Sequence, residues 1–154
     1  DFDLLIGLAF GFNSYWEAQR ACSSLTQMRS NIYFARVDAD GNVYVADTWN
    51  QRIQVFDPDF AFLREWPVSA WFGQSVVNKP YLAVDAEGRV YITDPEGYRI
   101  LVFEPDGTFV TSLGRYGAED DAFMLPTGIA VDPDGYLYVA DPATNRVIKF
   151  APFD

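Results

Sequence analysis

The sequence predicts an all-β fold, three consecutive copies of a four-stranded antiparallel sheet, and three observations carry the prediction. The string VDADGNVYVAD at 37–47 returns as VDAEGRVYITD at 84–94 and as VDPDGYLYVAD at 131–141, a constant spacing of 47 residues. The register continues without a gap: Arg52, Arg99 and Arg146 align, then Phe56, Phe103 and Phe150, then Pro58, Pro105 and Pro152. The composition suits packed sheet, because 49% of the 154 residues are hydrophobic and 17% aromatic, far from the profile of a disordered chain.

Each unit supplies its own strands in order. The first is IYFARVD, LAVD or GIAVD, and the second is NVYVAD, RVYITD or YLYVAD. Val, Ile and Tyr dominate both, as a pleated, packed surface favours. Between them Asp-x-[Asp/Glu]-Gly supplies a tight turn in which glycine takes a positive φ without steric penalty, so the two runs form a hairpin. A third strand follows at RIQVF, RILVF and RVIKF. The fourth, FLREW or TFVTSL, follows a Pro-Asp turn in which Pro58 or Pro105 ends the preceding strand. The second strands, at 43–46, 90–93 and 137–140, read as nearly continuous apolar runs, as strands covered on both faces do. Four short strands repeated at this period are the sequence form of a β-propeller blade; a β-helix repeat is shorter, and a helical solenoid shows a 3.6 period that is missing here.

The units fall at about 31–78, 79–125 and 126–154, after an N-terminal segment at 1–30. The third unit reaches Asp154 where its outermost strand should begin, while Asp3 to Phe10 is a strand-like run without a blade. That run is expected to supply the missing strand, in cis or from a partner. Residues 13–30 match no repeat position and read as loop, with helix-tolerant residues from Glu17 to Ala21. The first residue is Asp1, so the chain is expected to be a processed product or a fragment of something longer.

Charge and composition narrow the function. With 22 acidic against 11 basic residues the net charge is −11, which repels phosphate backbones and anionic lipid, so no nucleic-acid partner is expected. The longest apolar run, Leu4 to Phe12, is too short to span a bilayer, and no direct membrane insertion by this segment is expected. Cys22 is the single cysteine and cannot close an internal disulfide. Histidine is absent, which removes imidazole bases, the Ser-His-Asp triad and the commonest zinc ligand. No catalytic residue, cofactor or metal is assigned.

The string at Pro126 to Gly135, PTGIAVDPDG, then Tyr138-Val139-Ala140-Asp141, together with Asn50-Gln51-Arg52-Ile53-Gln54-Val55-Phe56, resembles the NHL repeat. The resemblance covers roughly 31–154 and departs from the family pattern where a histidine usually precedes the arginine: Gln51, Tyr98 and Asn145 stand there. It implies a six-bladed propeller serving as a protein, RNA or ligand platform, of which three blades are half. The rest would come from additional blades of a longer chain or from a second copy in a two-fold homodimer. The family also includes amidating lyases that hold metal through histidine, a part nothing in this sequence can play. Similar strings in arrays attached to bacterial membrane glycosyltransferase-like proteins imply an extracytoplasmic position at the bacterial cell surface.

Candidate site residues are weighed against structural roles. Asp38, Asp40, Asp132 and Asp134 resemble the start of a calcium loop, but no third aspartate and no closing glutamate follow, so they read as turn residues. Asp47, Asp94 and Asp141 each precede an arginine by five residues, Arg52, Arg99 and Arg146, and are expected to form charge-assisted pairs that fix the hairpin. Binding is expected where the repeats differ: Trp49, Asn50 and Tyr98 in the loops after the second strand, and Trp71 and Phe72 in the connection from Pro67 to Lys79. The connection from Arg115 to Leu125, with Glu119, Asp120 and Asp121, reads as a solvated acidic turn. The reading is a non-catalytic module presenting loops to a protein or glycan. The alternatives are a lyase- or lactonase-like propeller enzyme using a carboxylate-bound cation, and a structural spacer.

Overall fold

The computed structural model describes residues 34–73 and 78–153. The expectations for Asp3 to Phe10 and for 13–30 lie outside the described residues. Among the described residues eleven strands form three antiparallel sheets. Blade 1 holds β1 (Phe34–Val37), β2 (Val43–Asp47), β3 (Arg52–Phe56) and β4 (Phe62–Pro67) in sequential order. Blade 2 repeats this with β5 (Leu82–Val84), β6 (Val90–Asp94), β7 (Arg99–Phe103) and β8 (Phe109–Leu113). Among the described residues blade 3 has three strands, β9 (Ile129–Val131), β10 (Leu137–Asp141) and β11 (Arg146–Phe150). No helix among the described residues is long and apolar enough to cross a membrane.

The repeat owes its registration to a few local devices. The first aspartate of each turn accepts two backbone N–H groups through one oxygen: Asp40 and Asn42 donate to Asp38, Glu87 and Arg89 to Asp85, and Asp134 and Tyr136 to Asp132, all at 2.8–3.1 Å. The glycine that closes the turn has φ of +86° at Gly41, +83° at Gly88 and +82° at Gly135. A Cβ there would lie 3.1–3.2 Å from the ring of Pro58, Pro105 or Pro152. Glycine and proline are thus two halves of one clasp joining the first turn to the end of the third strand, which is why both recur at the repeat spacing.

Successive side chains of a strand point to opposite faces, so each central strand feeds two interfaces. Val90 and Ile92 of β6 pack with Tyr44, Ile53, Val55 and Trp66 of blade 1, while Tyr91 packs with Leu137 and Val139 of blade 3. All five residues of β2 and of β6 are buried. In β10 only Leu137, Val139 and Asp141 are, because its other face receives no further blade among the described residues. The innermost strands meet through Phe34 and Tyr81, aligned repeat positions whose rings stack with centroids 3.7 Å apart.

Candidate functional site

In an antiparallel sheet the second and fourth strands end on the same side. The loops after β2, β6 and β10 and the connections after β4 and β8 therefore share one end of the blades. Each loop turns through a residue in the left-handed region, Gln51 (φ +56°), Tyr98 (φ +56°) and Asn145 (φ +54°). These are the positions at which the repeat departs from the family's histidine. Two of the loops carry a 3₁₀ turn, Thr48–Asn50 and Pro142–Thr144.

The aspartate that ends each second strand is the anchor of its loop. Asp47 is 1% exposed and accepts Arg52 Nε at 2.8 Å and Asn50 Nδ2 at 2.9 Å, while Arg52 Nη1 donates to Glu65 at 2.8 Å. Asp94 repeats the pair, accepting Arg99 Nε at 2.9 Å and Gly97 N–H at 3.0 Å. The third copy keeps the ion pair but loosens it: Arg146 Nη2 stands 3.9 Å from Asp141, too far for a hydrogen bond. Asp141 instead accepts the backbone N–H groups of Met124 and Leu125 at 3.0 and 2.9 Å. Arg146 donates to the carbonyls of Ala118, Glu119 and Ala122 at 2.6–2.9 Å. The reason is local, since the connection at 115–125 folds over the loop and offers both amides and carbonyls at closer range. Burial works against the Asp141 carboxylate, but the Met124 N–H, Thr144 and the Leu125 N–H hold it below the usual carboxylate range.

The candidate binding residues divide. Trp49 is 59% and Phe72 80% exposed. Asn50 is exposed but its amide is engaged by Asp47. Tyr98 is half-buried, its ring edge-on to Tyr116 with centroids 4.8 Å apart. Trp71 is not a surface residue: it is 2% exposed and packs in the core between blades 1 and 2. The 3₁₀ turn at Ser69–Trp71 directs its indole inward, which corrects the reading of the whole 67–79 connection as surface. Tyr116, 60% exposed, was missed by the sequence reading. Its signal was an aromatic between Gly114 and Gly117, both at positive φ. Glu119 and Asp121 are each bridged by Arg115, at 3.2 and 2.9 Å.

Among the described residues, hollows lie at both ends of the blades. A groove of about 460 Å³ is lined by Asn50, Gln51, Arg52, Glu65, Trp66 and Pro67 at the loop end. A cleft of about 240 Å³ runs between the first turns of blades 2 and 3, with Asp85, Glu87, Arg89, Asp132 and Asp134 on its walls. The cleft's two inner carboxylates are already committed. Asp85 and Asp132 hold their turns through one oxygen and accept the Tyr91 and Tyr138 hydroxyls at 2.9 Å through the other. Among the described residues no group of three or more His, Cys, Asp or Glu side chains is arranged to hold a metal ion.

Comparison with known proteins places this geometry. The NHL repeat model matches residues 34–56 and 123–150. No curated protein matches the chain. Among solved structures the chain is similar to a streptogramin B lyase, with a TM-score of 0.54 and 17% identity over 78% of this chain and 40% of that one. It is also similar to a catalytically inactive virginiamycin B lyase from Staphylococcus aureus with quinupristin, with a TM-score of 0.57 and 15% identity over 84% of this chain and 44% of that one. A third similar structure is the Cps50 (Swd1) β-propeller domain of Myceliophteria thermophila, with a TM-score of 0.57 and 18% identity over 79% and 40%. The chain spans about two fifths of the length of these structures. Its period, its sheets and these likenesses agree: the chain carries NHL repeats at 34–56 and 123–150 and folds as consecutive blades of a β-propeller.

Proposed function

We propose that this array is a non-catalytic interaction module that presents its loop end to a protein or glycan partner. One observation carries the reading. At that end Asp47, Arg52, Asp94, Arg99, Asp141 and Arg146 are spent on holding loops in place, whereas three large aromatic side chains, Trp49, Phe72 and Tyr116, stand 59%, 80% and 60% exposed. Aromatic rings are enriched among residues that dominate binding energy, and rings on loops pinned at their bases lose little freedom on binding. The net charge of −11 favours neutral or basic partners over nucleic acid. An extracytoplasmic position at a bacterial cell surface fits a glycan or protein partner of this kind.

The test is to probe glycan and peptide arrays with the chain and with a Trp49→Ala, Phe72→Ala, Tyr116→Ala variant. Ligands that the variant loses while its melting curve is kept support the reading; ligands bound equally by both place the site elsewhere. Incubation with a streptogramin B tests the enzymatic alternative raised by the likeness to lyases. Turnover would overturn the non-catalytic reading.

A further inference from the structure

The repeat supplies its own control for one corner of the loop end. In blade 2 Arg99 is held by Asp94 at 2.9 Å, and that pair fixes the loop after β6. In blade 1 the aligned pair, Asp47 and Arg52, has a second carboxylate beside it: Arg52 Nη1 donates to Glu65 at 2.8 Å, where blade 2 carries Ser112. A hairpin of this repeat therefore forms without Glu65, whose side chain is 44% exposed. The scaffold does not account for it.

Glu65 lines the groove of about 460 Å³ between the loop after β2 and the end of β4. The main chain along this groove is already spent. Gln51 N–H donates to the Thr48 carbonyl at 3.1 Å, and the Gln51 carbonyl accepts Val68 N–H at 2.6 Å. Pro67 has no N–H to give. Side chains are what the groove presents. Gln51 turns the loop at φ +56°, a conformation better suited to asparagine, which stands there in blade 3 as Asn145. Its side-chain amide has no hydrogen-bond partner among the described residues. The Asn50 amide nitrogen is taken by Asp47, which leaves its oxygen. Glu65 has one oxygen beyond the one that accepts Arg52. Trp66, buried against blade 2, and Pro67 complete a fixed apolar wall.

We propose that this groove is a subsite for a neutral saccharide, with Gln51 and Glu65 engaging sugar hydroxyls. The inference rests on the loop end being a binding surface and names the ligand class for one part of it. A sugar hydroxyl both donates and accepts, and the groove offers amide donors with amide and carboxylate acceptors. Its volume lies in the range of small-ligand sites, which pair apolar walls with a few placed polar groups. Trp49, one residue before Asn50 and 59% exposed, is the ring available to the nonpolar face of a sugar. An anionic ligand would meet Asp47 and Glu65 against Arg52 alone, on a chain of net charge −11. A peptide main chain finds no open backbone ladder to extend.

The test titrates the 154-residue chain by calorimetry with cellotriose, maltotriose, mannotriose and triacetylchitotriose, and with trigalacturonate as the acidic comparison. At least one neutral trisaccharide should bind, and trigalacturonate should not. Glu65→Ser copies blade 2 and should weaken binding by roughly tenfold or more, the effect of losing a hydrogen bond to a charged group. Gln51→Asn copies blade 3 and should weaken it by roughly threefold or more. Both should keep the parent's melting curve. Glu87→Gln, which removes an exposed charge at the opposite end, should leave binding unchanged. No binding of any neutral trisaccharide overturns the proposal, as does equal binding by the parent, Glu65→Ser and Gln51→Asn. Equal affinity for trigalacturonate overturns the neutral class. A basic peptide bound in place of sugars and lost with Glu65→Ser overturns the saccharide. In each of these cases the loop-end reading still stands if the Trp49→Ala, Phe72→Ala, Tyr116→Ala variant loses the parent's array ligands, and it falls separately if that variant keeps them.

Discussion

Gly107 of blade 2 lies directly under the Trp66 indole of blade 1, so close that a Cβ on Gly107 would fall 2.6 Å from the ring. Its φ of +90° disfavours any other residue independently. Gly107→Ala should lower the unfolding free energy by about 1–3 kcal/mol, the usual range for overpacking, measured by urea denaturation. Gly41→Ala, whose Cβ would meet only the Pro58 ring at 3.1 Å, should cost less.

Arg146 and Arg52 occupy the same repeat position but differ in what depends on them. Arg146 donates to three carbonyls of the 115–125 connection, whereas Arg52 serves a hairpin pair and the 44%-exposed Glu65 carboxylate. Arg146→Met should cost about 2–4 kcal/mol, because several charge-assisted bonds are lost together. Hydrogen exchange should show the loss concentrated at 115–125. A larger loss from Arg52→Met would contradict this account.

Acid should weaken the fold through Asp141 and Asp132. Burial opposes the Asp132 charge, but the Tyr138 hydroxyl and the Tyr136 and Asp134 amides hold its carboxyl below the usual range, as Asp141 is held by its own donors. A depressed folded value gives stability that is present above the unfolded value of about 3.9 and is lost as pH falls through the folded one. Unfolding free energy should therefore stay flat down to about pH 4 and drop below it. Asp141→Asn should be less stable at neutral pH and show a shallower acid limb.

Base should act through the buried tyrosines. Burial and the Asp85 carboxylate raise the Tyr91 hydroxyl well above its ordinary value, and burial and Asp38 raise Tyr44 in the same direction. Their contribution is whole below about pH 10 and is lost as pH rises toward the folded values. Tyr91→Phe should lose less stability than the parent between pH 10 and 12, as followed by circular dichroism.

The fold was legible because it is periodic. Strand positions, the turn glycines and the clasping prolines all recur at one spacing, and each has a local physical cause. Asp47 with Arg52 and Asp94 with Arg99 were legible for the same reason. What the sequence hid depends on non-repeating segments. Trp71 has no aligned aromatic, since Ala118 stands 47 residues on, and its burial follows from a 3₁₀ turn that the period does not encode. Arg146 changes partners because the 115–125 connection brings carbonyls to it. Tyr116 lies in the same kind of non-repeating connection, where Ser69 stands 47 residues before it and gives no aligned aromatic.

The turn aspartates also decide which negative charges the molecule can give up. Asp38, Asp85 and Asp132 each tie down two backbone amides, so neutralising them would open the turns. Their neighbours Asp40, Glu87 and Asp134 are exposed and contribute only backbone amides to those turns. These three carboxylates set colloidal behaviour without setting shape. The repeat thereby separates acidity that folds the chain from acidity that keeps its molecules apart, and the second kind is open to change in every blade.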